Sequence, residues 1–127
     1  MASRVRPVFR RLLAAVQSRY PAFDAVLAQG DARRFRTRRA HAWCESTTPP
    51  RIVYAPKMER ADLDRIEGVL RHEFGHALAF HADAIDHTER DADDLARLLF
   101  GDVIRYDTDD VQTIGPGVAP RPARLGL

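Results

Sequence analysis

Apolar residues recur at helical spacing along much of this chain, and polar capping residues bracket two of the runs. Phe9, Leu12, Leu13, Val16 and Tyr20 fit one face of a helix that has Pro7 in its first turn and is ended by Pro21. Phe23, Val26 and Leu27 continue as a short second helix closed by Gly30. Leu63, Ile66, Leu70, Phe74 and Ala77 recur every three or four residues, which predicts a long helix from an N-cap at Asp62 to about Phe80, roughly five turns at 3.6 residues each. A last helix is expected over residues 88–100. Thr88 stands at its N-cap with Asp91 three residues on, Leu95, Leu98 and Leu99 form its apolar face, and Gly101 occupies the place of a C-terminal left-handed residue. On that helix Asp91 and Asp94 read as solvated acids favoured by the positive end of the dipole.

Between the helical runs the pattern shortens. Residues from Phe35 to Cys44, with Thr37 and Trp43, suit a strand; Thr48-Pro49-Pro50 breaks the chain; and Arg51-Ile52-Val53-Tyr54-Ala55 is a β-branched strand stopped by Pro56. Val103 to Tyr106 reads as a short strand or turn, and the tail, residues 111–127, carries too much Gly and Pro for a helix or a central strand. These elements predict an α+β fold, a small sheet packed on two consecutive helices with an N-terminal helix beside them. At 127 residues the chain is one domain, with room for one core.

Composition changes this picture little: 45% hydrophobic and 30% charged residues belong to an ordinary globular protein. Its single cysteine, Cys44, permits no intramolecular disulfide, which sets aside the small disulfide-rich class and fits a reducing compartment. The apolar run Leu12 to Val16 is too short for a signal peptide or a membrane span, so no membrane association and a cytoplasmic location are expected. Charge is more informative. Residues 1–40 hold ten Arg against Asp24 and Asp31, a balance of +8, whereas the remainder holds ten Lys and Arg against sixteen acids, a balance of −6. The Arg-rich segment 33–39 could hold nucleic acid through phosphate contacts or dock against the acidic half; a solvated basic face is the plainer reading.

The candidate chemistry lies on the long helix. His72 and His76 are four residues apart, about 40° around a helix axis and one turn apart along it, so each can offer an imidazole to one metal ion. Glu73, on the same edge, can take a proton without being a ligand. The plain alternative is a helix with two surface histidines beside a solvated glutamate, which the apolar neighbours Val69, Leu70, Phe74, Ala77 and Leu78 disfavour.

Residues 69–78 resemble the extended signature of the zincin metallopeptidases. The metzincin branch places Gly and His after this motif, where this chain has Ala79 and Ala82. The gluzincin branch places its third ligand in an E-x-x-A-D sequence on a following helix, which Glu89-Arg90-Asp91-Ala92-Asp93 matches, as in small minigluzincin-type proteins. The resemblance implies Zn²⁺ held by His72, His76 and Glu89, with Asp93 hydrogen-bonded to the far nitrogen of His72. It further implies Glu73 as general base, Tyr106 as a stabiliser of the oxyanion, with His41 or Tyr54 as alternatives, and Ile52, Val53 and Tyr54 as a strand that pairs with an extended substrate. His87 reads as a group behind a ligand or on the substrate side, with a surface position as the alternative. His81, five residues past His76, could bind only if the helix broke first. The expected activity is that of a zinc-dependent metalloendopeptidase acting on a protein or peptide. The alternatives are a nucleic-acid-associated or regulatory protein, such as the repressor-cleaving peptidases that share this pattern, and a non-catalytic zinc-binding module.

Overall fold

The structure, a computed structural model, describes residues 2–38, 40–84 and 86–101. Among these residues it is a mixed α+β domain of four α-helices and a three-stranded sheet. Helix α1 spans Val5–Arg19, strand β1 Val26–Gln29, helix α2 Ala32–Arg38, strand β2 Ala42–Glu45 and strand β3 Arg51–Tyr54. A 3-10 turn, Pro56–Arg60, leads to α3, Leu63–His81, and α4, Glu89–Phe100, follows. No described helix is long and apolar enough to cross a membrane. Tyr106, the Val103 to Tyr106 stretch and the tail lie outside the described residues.

Two expected elements are different here. The segment expected as a short helix after Pro21 contains β1, because Val26–Gln29 pairs in parallel with Arg51–Tyr54 and its backbone groups are taken up by that strand. The pairing is closed at both ends by Val26 N–H to Pro50 O, 2.9 Å, and Gly30 N–H to Tyr54 O, 2.8 Å. Pairing of this kind overrides a weak local preference over four residues. The run expected as a strand from Phe35 begins instead as α2, started by Asp31, whose carboxylate accepts the N–H of Arg33 at 2.8 Å. Only Ala42–Glu45 is extended, and Phe35 folds back from α2 to stack on Trp43 with ring centroids 4.3 Å apart.

The sheet order is β1-β3-β2, with β2 antiparallel to β3. β3 is therefore the central strand and β2 an edge. Against the sheet lies α3, whose Ile66, Leu70, Phe74 and Ala77 are fully buried. Leu63, expected on the same stripe, is 56% exposed, since it stands at the first position of the helix before α3 enters the core. Phe74 anchors the packing: its ring lies 5.3 Å from Phe9 of α1, 6.2 Å from Phe23 and 6.2 Å from Phe100 of α4.

Both long helices start on the residues expected. Asp62 accepts the N–H of Arg65 at 2.8 Å. Thr88 and Asp91 form a reciprocal capping box, with Thr88 N–H to Asp91 at 2.9 Å and Asp91 N–H to Thr88 at 3.1 Å. Asp91 and Asp94, expected in solvent, are in fact buried; for Asp91 the capping box is the reason, as it satisfies the carboxylate without water. Helix α4 crosses α3 at Gly75, where a Cβ would stand 2.8 Å from the carbonyl carbon of Ala92 and 3.1 Å from its Cα. Backbone cannot yield as a flexible side chain does, so only Gly fits. Gly75→Ala is expected to cost about 1–3 kcal/mol by forcing the helices apart, read as a lower urea midpoint, and to weaken divalent-metal binding because α4 moves as a unit.

Helix α1 has no side-chain cap of its own. Its first N–H groups are met from across the fold by Glu59 of the 3-10 turn, which accepts from Arg4 N at 2.7 Å, Val5 N at 3.2 Å, Ser3 Oγ at 2.5 Å and Tyr54 Oη at 2.8 Å. Burial pulls the Glu59 carboxyl up, but the donors of Ser3, Tyr54, Arg4 and Val5 outweigh it and hold the group at about 2 rather than the ordinary 4.5. A depressed folded-state value contributes stability that is present above about pH 4.5 and lost as pH falls toward 2. Glu59→Gln should therefore be less stable than the parent at pH 7, by about 1 kcal/mol given its partial exposure, with the gap in urea midpoints closing between pH 4.5 and 2.

Candidate metal centre

Residues four apart on α3 point into one cleft, and the first turn of α4 meets them there. The Nε2 atoms of His72 and His76 are 3.2 Å apart, and each is 2.7 Å from the same oxygen, Oε2 of Glu89. Two imidazole nitrogens and a carboxylate oxygen thus converge on one point, the donor set of a borderline divalent cation. These three residues could hold a metal ion, and their exposure is graded: His72 buried, His76 partly buried, Glu89 open to solvent. His81, by contrast, stands edge-on to Phe23, with ring centroids 5.4 Å apart.

Each histidine is held from behind through its other nitrogen. Nδ1 of His72 lies 2.6 Å from Oδ1 of Asp93, which is one turn along α4 from Glu89. Nδ1 of His76 lies 2.6 Å from Nε2 of His87, and Nδ1 of His87 lies 2.6 Å from the carbonyl oxygen of Ala84. The fixed rotamers that result suit metal binding, because ligand imidazoles are ordinarily oriented by a hydrogen bond at the nitrogen that does not bind.

The electrostatics follow from a buried imidazole between two carboxylates. Burial pushes the His72 value down, but hydrogen bonds to Asp93 and Glu89, together with the charges of Glu73 and Asp93, raise it to about 10. Hydrogen bonds from His72 and His76 hold Glu89 far below the usual carboxylate range against its partial burial. Glu73 behaves in the opposite way. It is buried, its Oε1 meets no hydrogen-bond partner among the described residues, and burial pushes its carboxyl up, opposed by His72 and His76 and reinforced by Glu89 and Asp93. A carboxylate with a free oxygen and raised proton affinity is suited to accept a proton.

The cleft has a volume of about 440 Å³ and is walled by Ala40, Ala42, Trp43 and Cys44 on one side and by Phe80 and His87 on the other. Cys44 stands there as a thiol: burial pushes its value up, and the charges of Glu73 and Glu45 push the same way.

Ile52, Val53 and Tyr54, expected to pair with an extended substrate, are not placed to do so. β3 is hydrogen-bonded on both sides, and all three residues are buried. The edge beside the cleft belongs to β2, whose Ala42, Trp43 and Cys44 line it; nothing local in a sequence ranks one short strand as edge and another as centre. The alternatives to Tyr106 are engaged elsewhere. The Tyr54 hydroxyl donates to Glu59, and Nε2 of His41 accepts from Nη1 of Arg65 at 3.1 Å. In the Arg-rich segment, Arg34 lies over Trp43 at 4.8 Å and near Glu45, while Arg33 and Arg36 are exposed.

No family model matches this sequence, no curated protein matches it, and no solved structure matches the fold.

The arrangement makes the two α4 acids separable by experiment. In chelator competition with divalent metal, Glu89→Ala should lose most of the metal because a ligand is gone, whereas Asp93→Ala should retain binding weakened about 10- to 100-fold because only the orientation of His72 is released. Equal, full affinity in both variants would show that the metal sits elsewhere.

Proposed function

We propose that this chain is a zinc-dependent metallopeptidase of the gluzincin type, cleaving peptide bonds within proteins or peptides. The observation that supports this reading best is the convergence of His72, His76 and Glu89 next to a buried Glu73 that keeps an oxygen free. Three protein donors rather than four, counted among the described residues, suit a working site; a structural zinc would usually be closed by further Cys or His. A zinc ion on these residues would supply Lewis acidity, which brings the pKa of water down to about 7 and polarises a peptide carbonyl.

The chain's own residues supply the rest. Asp93 and His87 keep the two imidazoles turned toward the ligand point. Glu73 takes the proton of the water that attacks the scissile carbonyl and delivers it to the departing amine, and burial strengthens it for the first of these tasks. An extended peptide adds to the edge of β2, where main-chain hydrogen bonds hold it regardless of sequence and the walls formed by Trp43 and Phe80 receive its side chains.

The test is cleavage of casein or a fluorogenic peptide library by the metal-loaded protein. Glu73→Gln should keep its metal and lose about 10²- to 10⁴-fold in kcat/KM. Zinc-loaded parent protein that cleaves nothing in such a library, or a Glu73→Gln variant as fast as the parent, would defeat the proposal.

A further inference from the structure

We infer that His87 is a positioning residue of the metal centre: by accepting the Nδ1–H of His76 it holds that imidazole with Nε2 as the nitrogen given to a metal ion shared with His72 and Glu89. The inference rests on the metal-binding reading of the site but not on the peptidase reading.

The carbonyl oxygen of Ala84 can only accept, so Nδ1 of His87, 2.6 Å away, carries a hydrogen. With Nε2 of His76 given to a metal ion, Nδ1 would carry the hydrogen of that ring, and Nε2 of His87, also 2.6 Å away, is the acceptor within its reach. His76 thus offers Nε2, the atom 2.7 Å from Glu89 and 3.2 Å from Nε2 of His72, to the point where the three donors converge. Held between the Ala84 carbonyl at one end and a metal ion at the other, the two rings would share one hydrogen, donated by His76 to His87.

Local structure delivers His87 to this place. Helix α3 ends with Ala84 N–H bonded to Ala79 O at 2.9 Å and Asp83 N–H to Phe80 O at 3.0 Å, with Asp83 left-handed at φ 60°. This is the Schellman closure of a helix, and it turns the chain back over the last turn of α3. The His87 ring then lies edge-on to Phe80, with centroids 4.7 Å apart, and His87 N–H reaches Ala84 O at 3.4 Å. Hence the two ligand histidines are supported differently. His72 is backed by a buried carboxylate on a helix, and His76 by an imidazole carried on the connection between helices.

Two variants separate this role from simple packing. His87→Leu fills the space without an acceptor, and His87→Gln places an amide oxygen near the position of Nε2. In chelator competition with zinc, His87→Leu should bind about tenfold more weakly, and His87→Gln should return most of that loss, an effect of the size that outer partners of metal ligands have. In the zinc-loaded parent, long-range ¹H–¹⁵N spectra of the imidazoles should show His76 and His87 both protonated at Nδ1 and not at Nε2. Zinc binding by His87→Leu as tight as the parent's, a His87→Gln no better than His87→Leu, or a His76 protonated at Nε2 would each overturn the inference. A parent protein that binds no zinc would overturn it together with the site. One that binds zinc with the expected spectra and variant affinities, yet cleaves no peptide, supports His87 while defeating the peptidase alone.

Discussion

The missing side chain at Gly75 is the constraint on which the site depends. Helices α3 and α4 cross there so closely that the backbone of Ala92 occupies the space a Cβ would need. Two turns are thereby brought within hydrogen-bond distance: His72 and His76 stand around Gly75 on α3, and Glu89, the third possible ligand, and Asp93, which holds His72, stand around Ala92 on α4. With a larger residue at the crossing, the imidazoles and the carboxylates would remain on their helices, but the 2.6 and 2.7 Å contacts between them would open. The apolar packing around Phe74 and the fully buried Leu95 holds the crossing from below.

Such closeness concentrates charge. Glu73, Glu89 and Asp93 surround two imidazoles in a region where His72, Glu73 and Asp93 are each buried. Buried charges are tolerated only when paired, and His72 meets the requirement by having a carboxylate at each nitrogen. A divalent ion held by His72, His76 and Glu89 would take over the role the imidazole hydrogens play here, and would leave Glu73, whose Oε1 has no partner among the described residues, as the unengaged acid.

Much of the helical framework was legible along the chain because its determinants are local. Asp62, Thr88 with Asp91, and Gly101 lie within a turn of the ends they define, and the spacing of Ile66, Leu70, Phe74 and Ala77 is a property of the helix alone. The sheet was less legible. Val26–Gln29 is extended because β3 lies beside it, and Phe35 is helical because Asp31 starts α2 and Trp43 offers a stacking partner from β2. Four-residue strands carry too little preference of their own to announce such choices. The trans-cap that Glu59 supplies to α1 joins residues more than fifty positions apart, and no spacing rule reaches that far.

By itself the sequence determined which groups could act together within one helix: the pair His72 and His76 with Glu73 between them, and the pair Glu89 and Asp93, since the α-helical repeat places residues four apart on one face. Only the tertiary structure decided that the two pairs meet, that His87 stands behind His76, and that β2 rather than β3 offers an edge to the cleft. The reason is physical. Helical periodicity is a short-range geometric rule, whereas the crossing of two helices and the order of strands are chosen by packing between residues distant in sequence, where a single hydrogen at Gly75 outweighs any local pattern.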